Sequence, residues 1–345
     1  MMRKPSLDVI ATSILEGHRG VLAADESPTT LGKRFAKVGV PNDEEHRRAY
    51  RELLLLAPGA EEAIGGVILH EETLRQETRD GVGFIAALRA RDQAVGVKVD
   101  RGAHPLPFAP GEVVTEGLDG LRDRLIAYRK LGVTFAKWRA VIDIAPGLPS
   151  DLCLRANAHA LGRYAALCQE NGLVPIVEPE VLMDGDHGID RCAEVTRRTL
   201  GFVFEALYEH RVILEGLLLK PNMVVPGLKS RAACDEAAVA DATVAVLKQA
   251  VPAAVPGVLF LSGGQREAHA TARLQAMNAR HPTSPWRLSF SFGRALQASA
   301  LAIWRGDPDE TTAARRAHVA RARANQAACR GEYRPEHEPE DLEES

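Results

Sequence analysis

The sequence lacks the features that mark membrane-spanning, secreted and nucleic-acid-binding proteins. No run approaches the ~18 consecutive apolar residues of a membrane-spanning helix. Arg3 and Lys4 come early, but Asp8 and a short apolar stretch do not match a signal peptide. Basic residues (43) do not outnumber acidic residues (46), so there is no excess of positive charge for nucleic acid. We therefore expect a cytoplasmic protein with neither a membrane nor a nucleic-acid partner.

Cysteine and histidine are present, but not at the spacings that form disulfides or metal sites. The five cysteines include no CxxC pair, which favours reduced packing residues over a disulfide or zinc framework. The eleven histidines include no HExxH or HxH motif. His70 and His187, near predicted strand ends, are interpreted as packed or solvated side chains. The sequence thus predicts no metal and no cofactor.

Short apolar runs alternate along the chain with longer amphipathic stretches. The 345 residues suffice for one large barrel or two ordinary domains, and no interdomain linker is visible. Eight runs have the character of buried strands: 20–26, 65–71, 94–100, 134–139, 173–180, 216–222, 257–264 and 287–293. Stretches between them that are typical of helices include 44–56, 117–131, 155–171 and 190–211. Eight such repeats predict a single (β/α)8 TIM barrel, which we assign to residues 1–333.

A doubly wound open sheet is the alternative architecture for alternating strands and helices. It would cluster functional residues at one switch point, whereas residues of functional character here end nearly every predicted strand. Residues 334–345 are mostly acidic and polar. We expect them to form a disordered C-terminal tail.

Lys220 ends the apolar run in the segment EGLLLKPNM, and Pro221 follows it. An amine attacks a ketone only when it is deprotonated, and apolar surroundings or a second cation lower the pKa of a lysine. The ordinary alternative is a strand-end lysine whose amine reaches solvent. The residues at the other strand ends favour a lysine that forms a Schiff base.

Several apolar runs end in charged residues, and some of these lie two positions apart. Residues two apart share one face of a strand, and the carboxyl ends of barrel strands meet at one mouth. The residues concerned are Asp25, Lys98 and Asp100, Lys137 and Arg139, Glu178 and Glu180, and Lys220. They predict a cluster of cations and carboxylates suited to an anionic substrate and to proton transfer.

Two glycine-containing loops follow the seventh and eighth predicted strands, where barrel enzymes often bind phosphate. The first, LSGGQ, contains Ser262, Gly263 and Gly264, and the second, SFGRALQ, contains Gly293 and Arg294. Glycine allows backbone N–H groups to turn toward an anion, and arginine adds a forked cation. Because a lysine on the third strand supplies a further cation, two phosphates fit this pattern better than one.

Seven motifs, in their order and spacing, resemble the class I fructose-bisphosphate aldolases from about Ser6 to Tyr333. They are LAADES (22–27), GVKVDRG (96–102), FAKWR (135–139), PIVEPE (175–180), LLLKPNMV (217–224), LSGGQ (261–265) and FGRALQASAL (292–301). The resemblance implies reversible cleavage of fructose 1,6-bisphosphate into dihydroxyacetone phosphate and glyceraldehyde 3-phosphate, in glycolysis and gluconeogenesis. It also implies a homotetramer without metal.

The resemblance also implies a role for each matching residue. Lys220 is similar to the nucleophile that attacks the C2 ketone, and Glu178 to the acid/base that dehydrates the carbinolamine. Asp25 resembles the base that takes the proton of the C4 hydroxyl, and Lys137 the cation beside the acid/base. Residues that resemble those orienting charges and substrate are Glu180, Arg139 and Lys98. The 1-phosphate site would use Ser262, Gly263, Gly264, Gly293 and Arg294, and the 6-phosphate site would use Ser27, Lys98 and Thr30.

The chain departs from the animal enzymes of this family at two places. After LAADES it reads PTT, so the phosphate contact assigned to Thr30 is a substitution. The tail, GEYRPEHEPEDLEES, is acidic and lacks the terminal tyrosine that the family links to protonation of the enamine. Tyr333 resembles the start of the animal tail rather than its tip. We expect a cavity group or water to protonate the enamine instead.

Two other functions are compatible with parts of the sequence. A catalytically silent barrel that serves as a scaffold would have no reason to keep this set of charged residues. An aldolase that prefers fructose 1-phosphate or sedoheptulose bisphosphate would keep them. Relative rates on the candidate substrates separate that possibility from a fructose 1,6-bisphosphate enzyme.

Because the histidines lack metal-ligand spacing, we predict that EDTA leaves the cleavage rate of fructose 1,6-bisphosphate unchanged. The rate is measured before and after chelation, with a zinc-dependent aldolase as the positive control. A rate that is lost to the chelator and restored by zinc would contradict the Schiff-base interpretation.

Overall fold

Eight parallel strands close into a barrel in the computed structural model, which describes residues 6–231, 234–334 and 336. In order around the barrel they are β1 (Gly20–Ala24), β2 (Ile64–Leu69), β3 (Ala94–Lys98), β6 (Phe135–Ile142), β7 (Val174–Val181), β8 (Leu218–Leu219), β9 (Gly257–Phe260) and β10 (Arg287–Phe292). The last strand pairs with the first, with Val21 opposite Ser291, so the sheet has no open edge. The predicted TIM barrel is confirmed, and the open-sheet alternative is wrong.

Each of the eight predicted runs overlaps one barrel strand, with β2, β6 and β7 extending one to three residues beyond their runs, and two further details differ from the sequence prediction. The strand before Lys220 is only two residues long, because Pro221 has no N–H to continue the ladder. A small antiparallel hairpin of β4 (Ala103–Pro105) and β5 (Val113–Thr115) lies between β3 and β6 and was not predicted. Each of its strands has only three residues, and those of β4 are exposed, so neither gives an apolar run.

The four predicted helical stretches correspond to α3, α6, α7 and α8. The helices are α1 (Leu7–Ile14), α2 (Pro28–Ala36), α3 (Glu44–Leu55), α4 (Glu71–Leu74), α5 (Phe84–Arg89), α6 (Leu121–Leu131), α7 (Asp151–Glu170), α8 (Ile189–Glu209), α9 (Glu236–Ala250), α10 (Glu267–Arg280), α11 (Arg294–Trp304) and α12 (Thr311–Cys329). Short 3-10 turns lie at Glu16–His18, Ala60–Glu62, Leu214–Gly216 and Pro308–Glu310. None of the helices within the described ranges has the length and apolarity needed to cross a bilayer.

Apolar residues pack on both faces of the barrel wall. Inside, side chains such as Val21, Phe135 and Ile176 form one cluster, and α1 closes its amino-terminal end with Ile10 and Ile14. A second, larger cluster lies between the outer faces of the strands and the surrounding helices. Because the inside is filled at one end, open space remains only toward the carboxyl ends of the strands. The prediction of a disordered tail falls mainly on residues 335 and 337–345, which lie outside the described ranges.

The inner packing predicts a sharp cost for added volume at Gly96. A Cβ atom there would lie 2.1 Å from Cε2 of Phe135, a fully buried ring. We expect Gly96→Ala to destabilise the fold by about 1–3 kcal/mol, measured by denaturant unfolding. Gly201→Ala is the control, because nothing lies within 4 Å of its Cβ position on the exposed face of α8. Equal stability of the two variants would contradict this account of the inner core.

Candidate active site

A polar cavity of about 640 Å³ opens at the carboxyl ends of the barrel strands. All of the site residues predicted from the sequence line it: Asp25, Ser27, Thr30, Lys98, Lys137, Arg139, Glu178, Glu180, Lys220, Ser262, Gly263, Gly264, Gly293 and Arg294. They come together because alternate residues of each strand point inward, and these residues stand at the inward positions or in the loops that follow. The strand-end pattern thus converges on one place.

Four charged side chains form a continuous chain of ion pairs on the cavity floor. Nζ of Lys220 lies 3.0 Å from Oε1 of Glu178, and Nζ of Lys137 lies 3.0 Å from Oε2 of the same carboxylate. Lys137 also lies 2.7 Å from Oδ2 of Asp25. All four residues are buried, with Lys220 and Glu178 only 3% exposed. Two cations and two carboxylates therefore balance each other away from water, and each charge has a partner.

Mutual proximity, rather than burial, determines the protonation states of this chain. Burial alone would raise the pKa of Asp25, but the ammonium groups of Lys137, Lys220 and Lys98 hold it well below its usual range. The pKa of Glu178 is lowered in the same way, because Lys137, Lys220 and Arg139 outweigh its burial. Burial alone would lower the pKa of Lys137, whereas Asp25 and Glu178 raise it above its ordinary value. Both carboxylates and Lys137 are thus charged at neutral pH.

Two further ion pairs stand beside this chain. Nε of Arg139 donates to Oε2 of Glu180, and this carboxylate raises the pKa of Arg139 despite the burial that opposes it. Lys98 lies 3.0 Å from Oδ1 of Asp100. The other oxygen of Asp100 accepts the backbone N–H of Arg139 at 3.3 Å. Asp100 thereby ties the end of β3 to the middle of β6 and contacts the segments that carry both cations.

The glycine loops lie at one end of the cavity, and the first of them contains two glycines in a backbone conformation that other residues rarely adopt. Gly263 and Gly264 have φ values of 56° and 103°, in the left-handed region that favours glycine. The guanidinium of Arg294 lies beside Gly264, 3.1 Å from where a Cβ would be. Arg294 also begins α11, whose first backbone N–H groups have no partner within the helix. This end of the cavity therefore offers a cation and backbone donors to an anion.

At another edge of the cavity, Ser27 caps the amino terminus of α2. Its Oγ accepts the backbone N–H of Thr30 at 3.3 Å and lies 3.1 Å from Oγ1 of the same residue. Together with Lys98, these hydroxyls form a second polar region lining the cavity. Two regions of donors and cations thus flank the ion-pair chain, as a substrate with two phosphates requires.

The sequence analysis missed several residues that line the cavity, among them Arg34 and Ser291. Arg34 lies four residues after Thr30 on α2, and its Nη1 lies 2.5 Å from Oε1 of Glu26. Ser291 is completely buried, and its Oγ has no hydrogen-bond partner among the described residues. Helical spacing from Thr30 would have found Arg34. Residues two apart on a strand share a face, so the position two before Gly293 would have identified Ser291.

Potential metal ligands do not converge in the described part of the chain. Over residues 6–231 and 234–334, no three histidine, cysteine, aspartate or glutamate side chains form a group that could hold a metal ion. The titratable groups of the cavity are instead joined in ion pairs with lysine and arginine.

Comparison with known proteins gives consistent matches over nearly the whole chain. The family model "Glycolytic: Fructose-bisphosphate aldolase class-I" matches residues 6–345. A probable fructose-bisphosphate aldolase class 1 from Xylella fastidiosa is 52% identical over 94% of this chain and 97% of its own. The fructose-bisphosphate aldolase of Dictyostelium discoideum is 51% identical over 94% and 92%, respectively. A solved structure of the Plasmodium falciparum fructose-bisphosphate aldolase is 45% identical, with a TM-score of 0.93 and 95% coverage of both chains.

The pKa shifts make the stability contributed by the ion-pair chain depend on pH. The pKa values of Asp25 and Glu178 are lowered by folding. The two carboxylates therefore contribute fully to the free energy of unfolding when the pH is above their unfolded pKa of about 4. This contribution is lost as the pH falls through the pKa values of the folded state. The pKa of Lys137 is raised. Its contribution is complete below the unfolded value of about 10.4 and is lost as the pH rises through the folded value.

We therefore expect Lys137→Met to lower the free energy of unfolding most at neutral pH, by roughly 3–5 kcal/mol, since it leaves buried carboxylates short of a cation. The loss of stability should become smaller toward pH 4. Once the buried carboxylates of the folded variant are protonated, they carry no negative charge for Lys137 to compensate. Denaturant unfolding followed by tryptophan fluorescence measures both values. Lys130→Met, an exposed change on α6, is the control. A loss that is the same at every pH would refute this electrostatic account.

Proposed function

This chain belongs to the class I fructose-bisphosphate aldolase family, and we propose that Lys220 is the lysine with which it forms a Schiff base. The reaction of the family is the reversible cleavage of fructose 1,6-bisphosphate into dihydroxyacetone phosphate and glyceraldehyde 3-phosphate. The observation that carries the assignment is the contact of 3.0 Å between the buried amine of Lys220 and the carboxylate of Glu178. A nucleophilic amine needs a base within this distance to lose its proton.

Glu178 moves the protons of imine formation. It takes a proton from Lys220, whose free amine attacks the C2 carbonyl carbon and gives a carbinolamine. Glu178 then returns a proton to the C2 hydroxyl, which leaves as water, and the nitrogen lone pair forms the C=N bond of the iminium. Lys137 contacts the other oxygen of Glu178. Its positive charge stabilises the ionised carboxylate of Glu178 after that carboxyl group has given its proton to the C2 hydroxyl.

Asp25 serves the cleavage step. It takes the proton of the C4 hydroxyl, the C3–C4 bonding electrons flow into the iminium, and the C4 carbonyl leaves as glyceraldehyde 3-phosphate. The lowered pKa of Asp25 means that its carboxylate is ionised in the free enzyme, as a proton acceptor must be. The enamine that remains is protonated at C3 by a cavity group or water, and hydrolysis of the iminium releases dihydroxyacetone phosphate.

The two polar regions that flank the ion pairs hold the phosphates. Residues of the two glycine loops bind the 1-phosphate: Ser262, Gly263, Gly264, Gly293 and Arg294. The 6-phosphate binds near the amino terminus of α2, by Ser27, Thr30 and Lys98. Arg139 and Glu180, which pair with each other, orient the charges between these two ends. Residues of this kind recognise phosphate through backbone N–H groups, hydroxyls and fixed cations.

The setting of the enzyme is also a proposal. Homotetrameric assembly and a cytoplasmic location fit its family and its relatives, one of which is a cytosolic aldolase of Arabidopsis thaliana with 51% identity. A preference for fructose 1-phosphate or sedoheptulose bisphosphate would use the same imine chemistry. Comparison of kcat/KM for the three substrates decides among them, and sedimentation measures the assembly.

Borohydride trapping tests the assignment of Lys220. With dihydroxyacetone phosphate present, reduction should add one covalent label per chain at Lys220 and abolish activity. Lys220→Arg keeps a positive charge but has no titratable amine, so kcat should fall by orders of magnitude. Lys229→Arg, a change at a nearby exposed lysine, should keep normal activity and labelling. Label found at Lys137 or Lys98 instead would overturn the assignment.

Asp25→Asn should separate imine formation from bond cleavage. An amide cannot accept the hydroxyl proton, so cleavage should slow by ~10²–10⁴-fold while Lys220 is still trapped by borohydride. Asp184→Asn is the matched control, because Asp184 is an exposed carboxylate at the rim of the same cavity. Loss of imine trapping in Asp25→Asn would assign Asp25 to an earlier step.

A further inference from the structure

The strand that carries Glu178 has a weak edge on the side facing Lys220. Alternate peptide groups of a strand point to opposite neighbours. The N–H of Leu182 donates to Ile142 on β6, whereas the carbonyl of Val177 accepts the N–H of Lys220 on the β8 side. Positions 177, 179 and 181 of this strand therefore face β8, but position 179 is a proline without an N–H.

The neighbouring strand ends before it can pair with this edge. β8 contains only Leu218 and Leu219, and the latter pairs with Val177. Beyond this point the segment that presents both glutamates, residues 178–181, pairs with β6 on its other side. On the side of Lys220, its remaining backbone donor is the N–H of Val181.

The side chain of Asn222 takes the place of the missing strand. Its Oδ1 accepts the N–H of Val181 at 3.1 Å. Its Nδ2 donates to Oγ1 of Thr196 on α8 at 3.0 Å and to the carbonyl of Met223 at 3.1 Å. Asn222 and Thr196 are both buried, so the amide is held on both sides and is shielded from competing water.

We propose that Asn222 is a positioning residue that sets the distance between Lys220 and Glu178. Asn222 lies two residues after Lys220, and it accepts the N–H of Val181, which lies three residues after Glu178. Its side chain therefore joins the backbone segment of the lysine to that of the glutamate. Without this bond, the backbone hydrogen bonds of residues 178–181 in the described structure would run to β6 alone. A displacement of about 1 Å between nucleophile and base can cost ~10²-fold in rate. The inference rests on the proposed roles of Lys220 and Glu178.

Asn222→Ala tests the proposal in the intact enzyme. We expect kcat to fall by about 10- to 100-fold with KM changed less than about threefold, because the contacts to the phosphates are kept. Borohydride trapping with dihydroxyacetone phosphate should still label every Lys220 at long times, but the rate of labelling should fall with kcat. Asn222→Asp, which keeps an acceptor for Val181, should recover part of the rate.

The extent of labelling separates positioning from simple loss of folded enzyme. A purely structural role would reduce the fraction of labelled sites and leave the rate per labelled site unchanged. Asn325→Ala is the matched control, because Asn325 is a buried amide on α12 that accepts a hydrogen bond from Thr271, outside the cavity lining. If Asn222→Ala does not fold, Thr196→Val removes one anchor of the amide and should slow labelling by about three- to tenfold.

Two results would overturn the proposal. One is that folded Asn222→Ala is labelled at a rate within about twofold of the parent enzyme's rate. If Thr196→Val replaces that variant, the same limit applies to its labelling rate. The other is an equal slowing in Asn325→Ala. Failure of the parent enzyme to label at Lys220 would instead refute the assignment of the nucleophile, so the two hypotheses fail in different experiments.

Discussion

The mutual neutralisation of Lys220, Glu178, Lys137 and Asp25 is the interaction on which the site depends. An isolated charge buried to this degree would be costly and would tend to lose its ionisation. In the alternating chain each amine faces a carboxylate, and these contacts shift the pKa values of Asp25, Glu178 and Lys137 toward their charged forms despite burial. The same contacts that make burial tolerable also provide a path of proton donors and acceptors beside the nucleophile.

The barrel explains how residues far apart in sequence meet at such short distances. Asp25 ends the first barrel strand, and Lys220 ends the sixth around the ring. Inward positions of a closed sheet converge on its axis, so long side chains from opposite walls can touch. Small residues below them, including Gly96 beside Phe135, allow the inner layers to pack and close the opposite end. The polar cavity thus lies on a rigid apolar plug.

Several local irregularities of the barrel lie near the site. The shortest barrel strand precedes Lys220, Pro179 interrupts the edge of β7 that faces β8, and the turn after β9 has two glycines in the left-handed region. Each feature removes regular pairing where side chains or a phosphate must approach. Side-chain hydrogen bonds from Asp100 and Asn222 replace part of what the ladder loses.

The sequence by itself determined the architecture and most of the cavity lining. Strand and helix periods, inward charges at spacing two and glycine loops are local patterns, so they identified the eight barrel strands and the strand-end charges and glycine loops that line the cavity. The pairing partners were decided only by the tertiary structure. That Lys137 joins Asp25 to Glu178, that Ser291 and Arg34 reach the cavity, and that Asn222 bridges two strands depend on register between distant segments. No local pattern encodes that register, because it results from how all eight strands close and pack together.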